Sequence, residues 1–354
     1  MILFICPQPA AANERHGLGQ RVSAVDGRFS DVSRIIADVS FTQHFKAIFR
    51  DRPKKLRVLS CNAFLHLWSL VKLARHADAI YVHTCHYALR VLWLYAIYKN
   101  VITDMHGALP EEIAMQGKWF AALRYAAVER YVVRRSKALI AVTEAMARHF
   151  EDKYGDACPP IFVIPVFPNL PDCAAEKDAT SVIYAGSVES WQCIDDMLIA
   201  IRGCSAQLSY TLLSGAAEEL AKRAAAFAVE KPVHIASVAS VELPAYYARA
   251  SFGFVLRDDH VVNRVACPTK LVEYLHYGVV PILKSERIGD FHAHNLNYIR
   301  LSDFIAGKFP SRESIVSMRR DNQKVLRMLR EKGDREIARL RILMSATHAT
   351  DATP

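Results

Sequence analysis

Two rounds of one pattern, short β-rich apolar runs alternating with amphipathic stretches, are separated at 165–171, where Pro165, Pro168 and Pro171 fall close together. Proline fixes φ and removes a hydrogen-bond donor, so such a segment continues neither a helix nor a central strand and must be a connection. Before it, apolar runs stand at 1–6, 56–60, 79–83, 101–104, 138–142 and 161–164, with helical stretches at 63–76, 87–99 and 118–135 between them. After it, runs at 181–185, 209–213, 233–237, 251–256 and 279–283 alternate with helical stretches at 193–202, 216–229, 243–250 and 269–277. Strand, helix, strand in repeated order is the signature of a parallel sheet with crossover helices. The reading is therefore α/β, with two Rossmann-like doubly wound domains whose carboxyl ends face a cleft. The expected boundaries are a first domain at 1–165, a linker at 166–180, a second domain at 181–310, a helical segment at 311–345 and a disordered tail at 346–354. A chain of 354 residues is long enough for both cores.

Composition narrows the class. Hydrophobic residues make up 52% and charged residues 23%, the balance of a folded chain. No apolar run approaches the roughly 18 to 20 residues that span a bilayer, and the candidate at 88–98 carries Arg90. The opening run has no basic residue before it and meets Pro7 at once, so it reads as a buried strand rather than a signal peptide. Eight scattered cysteines without a CxxC pair point to reduced thiols and a cytoplasmic location. The run His83-Thr84-Cys85-His86 offers zinc-type donors without a second ligand pair, and ordinary strand-end residues are expected there, with no metal.

The net charge of +9 is concentrated in two segments. Within 118–137, Lys118, Arg124, Arg130, Arg134, Arg135 and Lys137 face only Glu129 and are interleaved with Trp119, Phe120 and Leu123 at helical spacing. This basic amphipathic helix either lies on an anionic membrane face or packs one side on the core with its cations solvated. The segment 312–341 carries ten basic and five acidic residues and reads as a solvated surface helix. No RNA-binding or helix-turn-helix pattern accompanies the charge, so nucleic acid is not an expected partner.

The densest chemistry lies at 263–282. Pro268 suits the start of a helix, Gly278 suits its C′ position, and Leu271, Val272 and Leu275 form the face that packs on the sheet. Free N–H groups at the start of that helix, around Thr269, favour an anion, and Arg264 and Lys270 add full positive charge nearby. Glu273 is placed either to accept ribose hydroxyls or to pair with a neighbouring lysine. Gly186, with Ser187 after it, ends the first run of the second domain, where a glycine permits close backbone approach or simply makes a tight turn. His106, in Asp104-Met105-His106-Gly107, follows a strand of the first domain and reads as a cleft histidine or as a satisfied strand-end one. Gly17-Leu18-Gly19-Gln20-Arg21 opens a helix but lacks the full GxGxxG spacing.

The run Pro-Thr-Lys-Leu-Val-Glu-Tyr-Leu at 268–275, followed by a glycine and Val-Val-Pro-Ile, resembles the donor-site helix of family 4 GT-B glycosyltransferases. The turn at Gly186, the loop at His106 and the glycine pair at Gly17 and Gly19 match further motifs of that family. The resemblance implies a retaining hexosyltransferase of GT-B fold that uses a nucleotide diphosphate sugar as co-substrate, with no cofactor and no metal. It implies that Glu273 holds the donor ribose, that Arg264 and Lys270 hold the diphosphate, and that His106 meets the transferred sugar. It also implies a first domain that receives a glycan or lipid-linked acceptor, a final helix crossing back to that domain, and work in surface polysaccharide synthesis such as capsule or O-antigen. The basic helix at 118–137 would then place the enzyme peripherally on the inner membrane face. Two departures stand out: Val265 replaces a second glutamate of the family pattern, leaving Asp258 or Asp259 to take over part of its role, and 182–198 holds no Arg or Lys. A sugar-nucleotide epimerase of the same fold and a catalytically silent paralogue are the rival readings.

Overall fold

A computed structural model describes residues 1–8, 17–173 and 175–345; the tail expected at 346–354 lies outside the described residues. The chain divides into two compact units, one built from residues 1–166 and 331–354, the other from 167–330.

The first unit is an eight-stranded sheet: β1 (Ile2–Ile5), β2 (Arg34–Ser40), β3 (Ile48–Arg52), β4 (Leu56–Asn62), β5 (Ala79–His83), β6 (Val101–Met105), β7 (Ala138–Ala141) and β8 (Ile161–Val163). Their order is β3-β4-β2-β1-β5-β6-β7-β8, parallel throughout except where the edge strand β3 runs antiparallel to β4. β1, β5, β6 and β7 are buried at every position, as both-face-covered parallel strands must be. Two strands were not expected from the sequence. β2 is a short apolar run broken by Asp38, and β3 is exposed at all five positions, so it shows neither alternation nor a buried run.

The second unit is a six-stranded, all-parallel sheet: β9 (Asp178–Ala185), β10 (Ser209–Leu213), β11 (Val233–Ala236), β12 (Ala250–Val255), β13 (Val280–Leu283) and β14 (Ile299–Arg300). The order β11-β10-β9-β12-β13-β14 reverses direction beside β9, the topological switch point at which open α/β sheets take ligands. Helices Ile194–Gly203 and Thr269–His276 supply residues to the two apolar layers that cover this sheet, Ile194, Met197, Leu198 and Ile201 on one and Leu271, Val272 and Leu275 on the other. The two-residue β14 was not expected.

The described residues of 164–177 form neither helix nor strand, consistent with the proline-marked connection. The stretch read as one helix at 87–99 is two short ones, Thr84–Arg90 and Leu92–Ile97, parted where Val91 leaves helical backbone. At the C-terminus, Arg312–Ser345 is one continuous helix. Its residues Val325, Leu326 and Leu329 join the core of the second unit, whereas Ile337, Leu340 and Met344 join the core of the first, against Phe4, Val22 and Phe29. The chain has the GT-B architecture of two parallel-sheet domains with a terminal helix that returns to the first.

Candidate functional site

In the second unit the helix Thr269–His276 follows an extended Pro268, which is its N-cap rather than its first residue. Its end is a Schellman motif: Val279 N–H donates to Tyr274 O at 2.8 Å, Gly278 N–H to Leu275 O at 3.3 Å, and Gly278 takes the φ of +66° that a residue with a Cβ resists. The helix is thereby closed at its C-terminal end, while, among the described residues, no side chain caps its N-terminus at Thr269 and Lys270.

Lys270 is buried, and its Nζ lies 3.7 Å from the centroid of the Tyr184 ring and donates to Gln192 Oε1 at 3.0 Å. A Cβ on Gly186 would stand 2.7 Å from that Nζ, so the glycine turn after β9 is what admits the amine. The motifs at Gly186 and at 268–275, far apart in sequence, are one structure. Burial first, and the Arg257 guanidinium second, hold the Lys270 ammonium well below the usual lysine range, while Glu273 opposes them. An ammonium in that state gains from a dianion placed beside it. Glu273, one turn on, accepts a hydrogen bond from Tyr247 Oη at 2.8 Å, and burial raises its carboxyl above the ordinary range against the pull of Tyr247 and Lys270. Ser187 is exposed, and its carbonyl accepts from Tyr184 Oη.

The side chains of Arg264 and Asp258 are engaged elsewhere, and Asp258 meets this group through its backbone carbonyl, which accepts from Asn263 Nδ2 at 2.9 Å. Arg264 is exposed and donates from Nε to Asp259 Oδ1 at 2.5 Å. Asp258 receives Lys284 Nζ at 2.5 Å, and the same Lys284 binds Asp196, so its carboxylate is neutralised in an exposed ion-pair cluster beside Cys193. The basic residue that acts on Lys270 is Arg257, just past β12, with Nη1 donating to Asn263 Oδ1 at 2.9 Å. Sequence reasoning missed it. The available signal was its place directly after a strand that ends at the carboxyl edge. Val265 is buried in this region.

The first unit carries a second polar cluster. Asp104, at the end of β6 and fully buried, receives Arg21 Nε at 3.0 Å, Arg21 Nη2 at 3.1 Å and Tyr81 Oη at 2.7 Å. Arg21 Nη1 continues to Ile164 O at 2.6 Å. Burial alone would raise the Asp104 carboxyl, but Arg21 first, then His106 and His83, hold it far below the usual carboxylate range. His106 sits at the margin of this network, half-buried, with Nε2 3.1 Å from His83 Nδ1 and 3.6 Å from Asp104 Oδ2. His83 is fully buried, and burial pushes its pKa down to about 3, so it is neutral and shares one proton with His106. Gly19 is buried in the first turn of the helix Gly17–Gly27, and that helix delivers Arg21 to Asp104. The glycine pair thus opens a helix that carries a structural arginine, and Arg21 itself is 1% exposed and enclosed by its partners.

His83, Asp104 and His106 bring three donor atoms within 4.8 Å of one another, an assembly that leaves no local trace in the sequence because it forms only when β5 pairs with β6. Both Asp104 oxygens already receive Arg21, and Tyr81 shares one of them. His86 turns away to Tyr125 Oη at 2.6 Å.

Residues 15–168 match the Glycosyltransferase Family 4 model, which thus spans the first domain. Among curated proteins no sequence match is found. Solved structures similar over nearly the whole chain include HepE from Anabaena in complex with UDP and glucose, at 13% identity and a TM-score of 0.66, covering 96% of this chain and 98% of that one. An α,α-trehalose-phosphate synthase (UDP-forming) from Burkholderia vietnamiensis aligns at 12% identity and a TM-score of 0.67, covering 98% and 99%. A sucrose-phosphate synthase from Thermosynechococcus elongatus aligns at 12% identity and a TM-score of 0.63, covering 99% of each chain. At these identities the likeness establishes the GT-B fold.

Proposed function

We propose that this GT-B glycosyltransferase moves a hexose-like sugar, with retention of anomeric configuration, from a nucleotide diphosphate donor to a glycan or lipid-linked acceptor of surface polysaccharide synthesis. The observation that carries the reading is Lys270. A buried ammonium with one amide acceptor and one aromatic face, at a helix N-terminus and against a glycine that leaves it room, is a receptor for a diphosphate. Arg257 adds a second positive charge to the same place.

In this reading Lys270, Arg257 and the N–H groups at Thr269 neutralise the departing diphosphate, in place of a metal ion. Glu273, steadied by Tyr247, accepts hydrogen bonds from the ribose hydroxyls. His106, with its proton shared with His83, offers its free Nδ1 to a hydroxyl of the transferred sugar. The glycosidic C–O bond to phosphate breaks as the acceptor oxygen bonds the same face of the anomeric carbon, and the acceptor proton passes to the departing phosphate oxygen. Gly19, Ser187, Asp258 and Arg264 are assigned to the periphery of the donor, the last two exposed and held in ion pairs until it binds. The basic helix at 118–137 brings the protein to the membrane surface that carries the acceptor.

Uridine nucleotides are the first probes, because HepE was solved with UDP and glucose and an Escherichia coli relative with UDP-2-fluoro glucose. Thermal stabilisation against a panel of nucleoside diphosphates and their sugars tests the site. A shift with one nucleotide, lost in Lys270→Met and Glu273→Ala, is expected; no shift with any member would leave a silent paralogue. Incubating the donor alone separates the epimerase reading, which alters the sugar without an acceptor, and the anomeric proton coupling of a transferred product reads retention directly.

A further inference from the structure

Every exposed Phe, Tyr or Trp among the described residues belongs to the first domain. They fall into two groups. Phe41, Phe45 and Phe49 follow β2, and Phe64 and Trp68 follow β4; Trp119 and Phe120 open the helix Trp119–Arg135. Phe120 is 92% exposed, Trp68 82% and Phe64 71%. All but Phe49 leave strands or enter helices at the carboxyl edge of the first sheet, and Phe49 lies next to that edge, since Ile48 pairs with Ser60 near the end of β4.

These side chains are held out by specific structure. Asn62 at the end of β4 donates from Nδ2 to Phe41 O at 2.9 Å and Gln43 O at 3.2 Å, and its Oδ1 accepts from Phe64 N–H at 3.0 Å and Leu65 N–H at 3.2 Å. One buried side chain therefore ties two loops together, and the Phe41 and Phe64 rings stack at 5.4 Å. The helix is seated in the same domain by Tyr125, Val128 and Val132, which face inward, leaving Trp119, Phe120, Leu123 and the arginines outward.

The charge on both groups has one sign. Between Phe41 and Arg75 the sequence holds eight Lys or Arg and one acidic residue, Asp51, which pairs with Arg57 at 2.8 Å. The one acid of the helix, Glu129, is buried against Lys153 and Tyr154. We infer that this rim is a membrane-docking surface with two separate apolar lips, 41–49 with 64–68 and 119–123, which seats on an anionic bilayer with its rings at the headgroup level. The helical lip is part of the function proposed above; the loop lip and its Asn62 staple go beyond it. Exposed aromatics flanked by cations match a surface that is apolar beneath and negative above. A second copy of this chain fits poorly, because a two-fold contact brings the same positive face against itself.

The test uses the full chain and vesicles without donor or acceptor, so it stands whether or not sugar transfer is found. The chain has four tryptophans; replacing Trp93 and Trp191 by Phe leaves Trp68 and Trp119 as reporters, one on each lip. With phosphatidylglycerol vesicles carrying brominated acyl chains, both should be quenched, and removal of either by Trp→Phe should leave the other quenched. Phosphatidylcholine vesicles should quench neither. Phe64→Ser with Leu65→Ser should weaken partitioning at least about tenfold, with an unchanged melting curve because both positions are exposed. If the double replacement does not fold, the difference between the natural chain and Trp68→Phe gives the same reading. Quenching of Trp119 alone would remove the loop lip. No quenching of either, or a Trp68 shift that depends on protein concentration without lipid, would overturn the proposal, the latter in favour of self-association.

Discussion

The two polar clusters at the carboxyl edges of the two sheets are built from similar parts and are in opposite states. In the first domain Arg21 and Asp104 are matched charge for charge, with Tyr81, the histidines and a backbone carbonyl completing the set. In the second domain Lys270 and Arg257 place two cations beside one carboxyl whose own pKa burial has raised. A matched pair of buried charges is architecture, and its members are costly to remove singly, even though His83 Nε2 beside it is buried without a hydrogen-bond partner among the described residues. A buried cation short of its anion is costly to keep and is relieved by a ligand. The same contrast appears inside the second domain, where Lys177 donates to the carbonyls of Tyr247, Ala250 and Tyr277, whereas Lys270 donates, among the described residues, to Gln192 alone.

The largest effect that bears on this contrast is in stability. Arg21→Met should destabilise the chain by about 3–5 kcal/mol, because it strands the Asp104 carboxylate, whereas Lys270→Met should be neutral or stabilising. Urea denaturation of both variants checks this, and equal losses would break the distinction. Binding should reverse the ranking. Lys270→Met should weaken a nucleoside diphosphate about 10- to 100-fold by calorimetry, the worth of a charge-assisted hydrogen bond at a buried site. Gly186→Ala should follow with about a tenfold loss, since its Cβ displaces the amine without removing it.

A pH effect sharpens the first-domain half. The His83 pKa is about 3 in the fold and near 6.5 in an unfolded chain, so its neutral form contributes stability that is present above pH 6.5 and is lost as pH falls toward 3. One such proton is worth about 1.4 kcal/mol per pH unit within that window. His83→Gln should flatten the dependence of stability between pH 6 and 4 relative to the natural chain, and an unchanged slope would remove His83 from the network. The smallest effect is expected at Asp258. Asp258→Ala opens an exposed cluster and should move stability by no more than about 0.5 kcal/mol.

Most of the fold was legible in the sequence because buried parallel strands such as β1 and β7 are continuous apolar runs and the prolines at 165–171 stand alone as a break. β3 was not, because an edge strand exposed on both faces carries no period, and β14 is too short to leave one. In the site, Lys270 and Glu273 were legible because one local helix signature holds them. Arg257, Gln192 and Tyr247 were not, since each comes from a different element and only the packed sheet brings it to the helix. Asp104 and Arg21 were both in quoted motifs, yet their pairing spans 83 residues and leaves no local trace. His83 stands near His86 in sequence, whereas its partner in space is His106.

The terminal helix has a consequence for the order in which the protein comes into being. The ribosome makes residues 1–166 before 167–330, but part of the apolar layer that joins their core, Ile337, Leu340 and Met344, is made only after the second domain. The first domain is therefore begun before the second and finished after it. A released chain that stops at 330 should therefore hold the whole core of the second domain and a first-domain core that lacks Ile337, Leu340 and Met344, the apolar partners that 331–345 supplies.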